Sequence, residues 1–516
     1  MTRTIARPIP RLRAAAISLI SLLWIAQSTV LAGNCSTVST FADGLSPSRL
    51  LHVSPTGSNA SGNGSLAAPY ATIPYAAAQA QPGDAIRLLP GTYPGGSFLS
   101  SLRGTDGLPI WVGGEPGVTP RPLISGGTSG IQLSRARYLI IHDLEIAGAS
   151  GNGINCDDGG DVADPDAAKW ILFRNLLIRD IGPTGNTDAL KLSGIRDFVI
   201  DSCIFRDAGS GGSMVDMVGC HRGLITRSRF EGRCSSGVQA KGGTADVDLH
   251  RCWFENVSGT QARACNIGGS TGLEFFRPPL STTQPNAEAR RIRVTACIFS
   301  ACDNPAAFVG TVDSVFAHNT IIRPRARILR ILQETTTSGS YIFEPCGNND
   351  FSGNLIYYDR SAILGVVNVG ANTAPTTFTF ANNLWYDFNN PAQSSPGLPA
   401  PETGGIIGIN PALLDEPAQD YRLSASSPAI ASGPIPLRAA ADYPGACFAS
   451  PPTIGAFENT PLCPADFDGS GLREVPDIFA FLSAWFTGSP AADFDGNSLI
   501  QVPDIFAFLS AWFAGC

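Results

Sequence analysis

LIIHDLEI (139–146), WILFRNLLI (170–178) and FVIDSCIF (198–205) share one pattern: a short apolar or alternating run, a small polar residue, then a second run that is mostly apolar. The pattern returns in LITRSRF (224–230), VDLHRCWF (247–254), IRVTACIF (292–299), VFAHNTII (315–322), DFSGNLIY (350–357) and FTFANNLWY (378–386). Aligned on their polar residues, the copies give Asp143, Asn175, Ser202, Ser228, Cys252, Cys297, Asn319, Asn354 and Asn383. Most intervals lie between 22 and 35 residues, with one longer gap after Cys252. A unit of this length cannot bury its apolar face alone. Stacked units bury one continuous core, and small polar residues at a shared turn can bond to one another along the stack, so the repeat predicts an all-β solenoid.

Composition agrees with a turn-rich β protein: 56 glycines and 39 prolines among 516 residues, sparse charge, and a net charge of −8. That balance argues against nucleic acid as a partner and leaves room for a local basic stripe. Arg3, Arg7, Arg11 and Arg13 precede an apolar run from Ala14 to Ala26, and Val30-Leu31-Ala32 supplies a small-residue cleavage pattern. Residues 1–32 therefore read as an export signal and 33–50 as a leader, which predicts a secreted or cell-surface protein without a membrane span in its mature chain. Such a compartment permits disulfides, and thirteen cysteines, an odd number, leave at least one free or paired between chains.

Ahead of the repeat, YATIPYAAAQAQPGDAIRLLPGTYPGG (70–96) predicts a helix over 73–80 that stops at Pro82-Gly83 and leads into a strand, capping the first coil. The repeat and the PGDAIRLLPGTY segment together resemble the right-handed parallel β-helix superfamily of pectate lyases, chondroitinase B and alginate lyases. The resemblance covers about residues 51–459. It implies a right-handed parallel β-helix with an N-terminal helical cap, on a fold that also carries hydrolases, epimerases and inert adhesins.

A further set of strands lies between those above: DALKLS (188–193), MVDMVG (214–219), GVQAKGG (237–243), ACNIGG (264–269) and LRILQE (329–334). Alternation turns Leu190 and Leu192, Val215 and Met217, Val238 and Ala240, and Cys265 and Ile267 inward. Lys191, Asp216, Gln239, Lys241 and Asn266 are then expected on an outer column, flanked by Asp188, His221, Arg263 and Arg330, as a groove for an acidic polysaccharide. Elimination from a uronate needs a base for the proton at carbon five and a cation that neutralises the carboxylate. Lys241, with Arg263 22 residues later, resembles the lysine base and arginine of chondroitinase B and related alginate lyases. Those enzymes carry acidic calcium ligands shortly before the lysine. Here that stretch, RCSSGVQ (233–239), has no carboxylate, which leaves Asp188 and Asp216 as the candidate ligands for a calcium ion in the groove.

Asp188 and Asp216 also admit a glycosidase reading, as paired carboxylates across a scissile bond. Asp157, Asp158 and Asp161 in CDDGGD (156–161) form either a turn or a cation loop. In GGSTGLEFFRPP (268–279), Arg277 beside aromatics is a candidate sugar contact, with packing over the solenoid wall as the alternative.

The chain then repeats itself with a period of 27: ADFDGSGLREVPDIFAFLSAWF (465–486) and ADFDGNSLIQVPDIFAFLSAWF (492–513). Each copy fits an EF-hand-type calcium loop. The ligand positions are Asp466, Asp468, Ser470, Leu472 (through its carbonyl) and Asp477 in the first, and Asp493, Asp495, Asn497, Leu499 (likewise) and Asp504 in the second. Ile478, Phe481, Leu482 and Trp485, and their counterparts Ile505, Phe508, Leu509 and Trp512, recur at helical spacing, so two helices should pack together. The doubled unit, residues 463–516, resembles type I dockerin repeats, which implies calcium in the loops and a cohesin-like or cell-surface protein as partner. Cys463 and Cys516 bracket it as a candidate disulfide. Three functions are thus in competition: a lyase on a uronate polymer with Lys241 as base and Arg263 as neutraliser, a non-catalytic glycan-binding surface protein, and a glycoside hydrolase.

Overall fold

The computed structural model describes residues 35, 37–100, 102–435, 439–458, 465–468, 473–497 and 499–514. Among these residues, three parallel sheets of fourteen, ten and twelve strands are built coil by coil, and successive coils contribute strands to each in turn. The segment around Asp143 shows how. Arg137–His142 joins the fourteen-stranded sheet, the chain bends, Glu145–Ala147 joins the twelve-stranded sheet, and Asn152–Asp157 joins the ten-stranded one.

Register stacks like on like. Ile141, Phe173, Ile200, Ile225, Leu249, Val294, Phe316, Phe351 and Phe380 occupy one position on successive rungs, all buried. Each such side chain contributes about 1.5–3 kcal/mol on burial. A slip of one residue would turn the whole row outward, so this row fixes the pairing. Phe205, Phe230, Phe254 and Phe299 form a second inner row, their rings stacked at 5.2, 4.5 and 4.8 Å.

At the bend the polar residues occupy two adjacent positions, which corrects the sequence alignment by one residue in its first three copies. Asp143, Asn175 and Ser202 sit at a left-handed position, with φ of 50°, 52° and 55°, which later coils fill with Arg227, Arg251, Ala296 and His318. The next residue points inward. Ser228, Cys252, Cys297, Asn319, Asn354 and Asn383 take that place, and its earlier occupants are Leu144, Leu176 and Cys203. Small polar residues suit both positions, as tolerant αL residues in one and as backbone partners in the other, and this produced the offset. In the last coils the inner position is a ladder: Asn319 Nδ2 donates to Asn354 Oδ1 at 3.1 Å, Asn354 Nδ2 to Asn383 Oδ1 at 3.0 Å, and Asn383 Nδ2 to Glu402 Oε1 at 2.7 Å.

Helix α1 (Ile73–Gln79) caps the first coil. The Thr72 side chain accepts from Tyr75 N, Pro74 occupies the first turn, and Ile73 and Ala76 bury against the solenoid core with Leu51, Val53 and Ile86. At the other end, residues 413–423 form an antiparallel pair, and Tyr421, Ala429 and Ile454 cover Ile298, Ile322, Leu355 and Leu384. A disulfide joins Cys35 to Cys447, and nine further cysteines among the described residues are buried free thiols.

Helices α2 (Val475–Phe486) and α3 (Val502–Ala514) share a small core, with Phe481 and Phe508 stacked at 4.3 Å and Phe467 and Phe494 edge-on to both. Trp485 Nε1 bonds Gln501 O at 3.0 Å and Trp512 Nε1 bonds Glu474 O at 3.3 Å, so each helix ties to the segment that opens the other. The residues expected to form an export signal and a Cys463–Cys516 disulfide lie outside the described residues. Among the described residues, no helix is long and apolar enough to cross a membrane.

Candidate functional site

The outer face of the ten-stranded sheet carries one column of side chains in register: Phe98, Gln132, Asn155, Lys191, Asp216, Gln239, Asn266, Ala307, Arg330 and Asn368. The strands place these residues on one face because Leu190, Leu192, Val215, Met217, Val238, Ala240, Cys265 and Ile267, on alternate positions, bury in the core. Lys191, Asp216, Gln239 and Asn266 are thus direct neighbours on consecutive rungs.

Outward does not mean exposed here. Asp216 is fully buried beneath its neighbours, and Asn266 is nearly so. Lys191 Nζ donates to Asp216 Oδ2 at 2.7 Å and to Asp188 Oδ2 at 3.0 Å, and Lys241 Nζ lies 3.2 Å from Asp216 Oδ1. Asp188 also accepts Ser213 N at 2.7 Å. An ammonium thereby occupies the place between Asp188 and Asp216 that the sequence reserved for a cation. Burial, with Asp216 adding to it, holds the Asp188 carboxyl above the ordinary range. For Lys191, burial works against the charge, yet the two carboxylates outweigh it and raise its pKa above the usual lysine value.

Arg263 opens the strand Arg263–Gly268 opposite Ser236, five positions before Lys241 in the register, or about 17 Å of extended backbone. Lys241 leans back and Arg263 leans forward along their strands. Lys241 Nζ reaches Gln239 Oε1 at 3.4 Å and Arg263 Nη1 reaches Asn266 Oδ1 at 3.2 Å, and Gln239 and Asn266 are register partners. The second amino group of Arg263 pairs with Glu334 at 2.6 Å. Arg330 stands two rungs beyond Asn266, is buried, and donates to Asn368 Oδ1 at 3.2 Å. Its burial, and then the charges of Arg263 and Arg327, bring its pKa down to about 10.

Arg277 lines the same groove as Phe98, Gln132 and Lys191 of the column, whereas His221 stands on the neighbouring sheet. His221 begins the strand His221–Thr226 of the fourteen-stranded sheet, around the corner made by Gly219 and Cys220, and its Nε2 lies 2.9 Å from Arg277 O. Arg277 belongs to the inserted segment 268–279 and makes a two-pronged ion pair with Asp158, at 2.6 and 3.0 Å. The CDDGGD run does not gather its carboxylates on one point. Asp157 accepts from Gln132 and Ser134, Asp158 from Arg277, and Asp161 pairs with Arg135. Segment 268–279 closes over the solenoid face and leaves a groove of about 590 Å³, whose walls include Phe98, Asp157, Lys191, Lys241 and Phe275.

Two contributors were beyond sequence reasoning. Phe98 precedes the recognised repeat, and only the register joins it to the column. Glu288 is fully buried and accepts Gly242 N at 2.8 Å and the Thr335 hydroxyl, which fixes the turn directly after Lys241. Burial raises its carboxyl pKa. Nothing in its local sequence marks a partner 46 residues away.

In the tail, carboxylate oxygens of Asp466, Asp468 and Asp477, and of Asp493, Asp495 and Asp504, lie within 4.8 Å of one another in each set. These two clusters can hold a metal ion, and a donor set of oxygens alone suits a hard cation. Asn497 donates its amide to Asp495 Oδ2 at 2.8 Å, Leu499 N bonds the Asn497 side chain at 2.8 Å, and Ser470 and Leu472 fall outside the described residues.

Register, core rows and turn ladder define the class of molecule, a parallel β-helix, and the matching family model gives its right hand. Comparison with known proteins agrees. A family model described as a right-handed β-helix region matches residues 128–278. The crystal structure of pectate lyase Pel9A is similar over 83% of this chain and 100% of its own, at 16% identity and a TM-score of 0.50. An alginate lyase from Paenibacillus sp. str. FPU-7 aligns over 64% of this chain and 99% of its own, at 16% identity and a TM-score of 0.43. A lacto-N-biosidase from Eubacterium ramulus aligns over 70% and 68%, at 15% identity and a TM-score of 0.40. A search of curated proteins finds no match to this sequence.

Proposed function

We propose that this is a secreted, polysaccharide-active β-helix protein that binds an acidic polysaccharide along the outer column and cleaves it by β-elimination. The observation that carries this reading is the convergence of Lys241 and Arg263 over the Gln239–Asn266 pair. A uronate carboxylate held by Arg263 makes the proton at carbon five more acidic. Lys241, in its neutral form, takes that proton, the electron pair forms the double bond between carbons four and five, and the bond from carbon four to the leaving sugar oxygen breaks, its electrons leaving with the oxygen, which takes a proton from water. Likeness to a pectate lyase makes polyuronates the first polymers to try. The two aspartate clusters of the tail bind calcium in this reading, and the tail attaches the protein to a cohesin-like or cell-surface partner.

The test is absorbance from a new unsaturated uronate when the purified protein meets alginate, pectate or glycosaminoglycans. Activity that survives Lys241→Ala would remove the proposed base, and silence on every uronate polymer would favour the second reading, a non-catalytic glycan-binding protein. One observation favours that second reading: Lys191, Lys241, Arg263 and Arg277 each already face a carboxylate of the protein. A hydrolase using Asp188 and Asp216 is less well supported, because the Lys191 ammonium sits between the two.

A further inference from the structure

Two phenylalanines in the groove are exposed where the fold has no use for them. Phe98 is 58% exposed at the N-terminal end of the outer column, three rungs from Lys191, and Phe275 is 50% exposed on the inserted segment. Both line the same groove as the two lysines. Three rungs correspond to about 14 Å at the usual strand spacing, so a ligand that touches Phe98 and Lys191 together must be several rings long.

Phe275 is held in place rather than loosely tethered. Arg277 grips Asp158 with Nε and Nη2, donates Nη1 to Phe275 O at 2.7 Å, and offers its own carbonyl to His221. The adjoining Phe276 is buried and meets the Phe343 ring edge-on at 5.7 Å. With one aromatic anchored inward, its neighbour is presented to the groove.

We propose that Phe98 and Phe275 are ring-stacking platforms of a glycan subsite in this groove, each taking the C–H face of a pyranose, with Arg277 as the positioning residue for Phe275. This rests on the reading that the groove takes a glycan, and it is independent of the elimination chemistry. Stacking on an aromatic face does not depend on the sugar's charge, so the platforms would add affinity for neutral and acidic chains alike, while the lysines select acidic ones.

Affinity electrophoresis of the full chain through gels containing polygalacturonate, alginate or neutral galactan tests it, with the absorbance assay run in parallel. Phe98→Ala and Phe275→Ala should each weaken retention by the bound polymer about three- to tenfold, and Phe98→Tyr and Phe275→Tyr should preserve it. Arg277→Ala should weaken retention as much as Phe275→Ala, and the two together no further, a non-additivity that a merely structural role would not give. Retention unchanged in both alanine variants overturns the platforms, as does failure of the wild type to bind any of the three polymers. Weakened retention without absorbance keeps the platforms and removes the lyase; absorbance with unchanged retention does the reverse.

Discussion

Lys191 Nζ lies 2.7 Å from Asp216 Oδ2 on the next rung, and its second carboxylate, that of Asp188, is 3.0 Å away. Both carboxylates are fully buried, so the Lys191 ammonium, with Lys241 Nζ 3.2 Å from Asp216 Oδ1, compensates charge that water cannot reach. Lys191→Met should destabilise the protein by about 3–5 kcal/mol at pH 7, the range for breaking a buried pair from one side. The loss should shrink in acid. Burial and Asp216 already raise the Asp188 carboxyl above its unfolded value, and a raised acid adds stability as pH falls through its folded pKa. Urea midpoints of wild type and variant at pH 7 and pH 5 check this; an equal deficit at both would refute the account.

Asn354 is the middle of the asparagine ladder. Its Oδ1 accepts from Asn319 N and Nδ2 at 3.0 and 3.1 Å, and its Nδ2 donates to Phe316 O and Asn383 Oδ1, both at 3.0 Å. Asn354→Leu keeps the bulk but leaves buried donors and acceptors unpaired on two neighbouring rungs, so a loss of about 3 kcal/mol is expected. Calorimetric or urea unfolding measures it, and a loss below about 1 kcal/mol would mean that the ladder decorates the turn without supporting it.

The same ladder shows what the sequence could and could not reveal. Asn319, Asn354 and Asn383 advertise themselves because a buried turn admits few other residues. Asp143 and Asn175 mislead by one position because the neighbouring αL site accepts the same residue types. The outer column was legible from alternation in Lys191, Asp216, Gln239 and Asn266, since period two is a local signal. Its extension to Phe98 was not, because rung order depends on coil lengths that vary. Arg277 and Glu288 act through partners 119 and 46 residues away, and such pairings are set by how an inserted segment folds back.

Among the described residues nine thiols are buried, and burial raises the pKa of Cys203, Cys220 and Cys302 to about 12 and that of Cys346 to about 11. Thiolate, the form that reacts, is therefore scarce at pH 8, and access is closed as well. Iodoacetamide on the native protein should leave the peptides carrying Cys156, Cys203, Cys220, Cys234, Cys252, Cys265, Cys297, Cys302 and Cys346 unmodified, and unfolding in urea should open all of them. Rapid native alkylation of any of these would show a breach in the solenoid wall.

The tail offers an optical report of its own loops. Asp477 accepts Glu474 N at 2.6 Å and Asp504 accepts Gln501 N at 2.7 Å, so each of these carboxylates both joins an acidic cluster and caps a helix. Trp512 Nε1 bonds Glu474 O and Trp485 Nε1 bonds Gln501 O, which couples each indole to a residue adjoining an ion cluster. A cation drawn into the aspartates should tighten both caps and change the indole surroundings. Calcium added to the full chain should then produce binding heat and a change in tryptophan emission, both lost in Asp466→Ala with Asp493→Ala. The emission change alone should be lost in Trp485→Phe with Trp512→Phe. Heat without an emission change in the wild type would place the ion somewhere other than these loops.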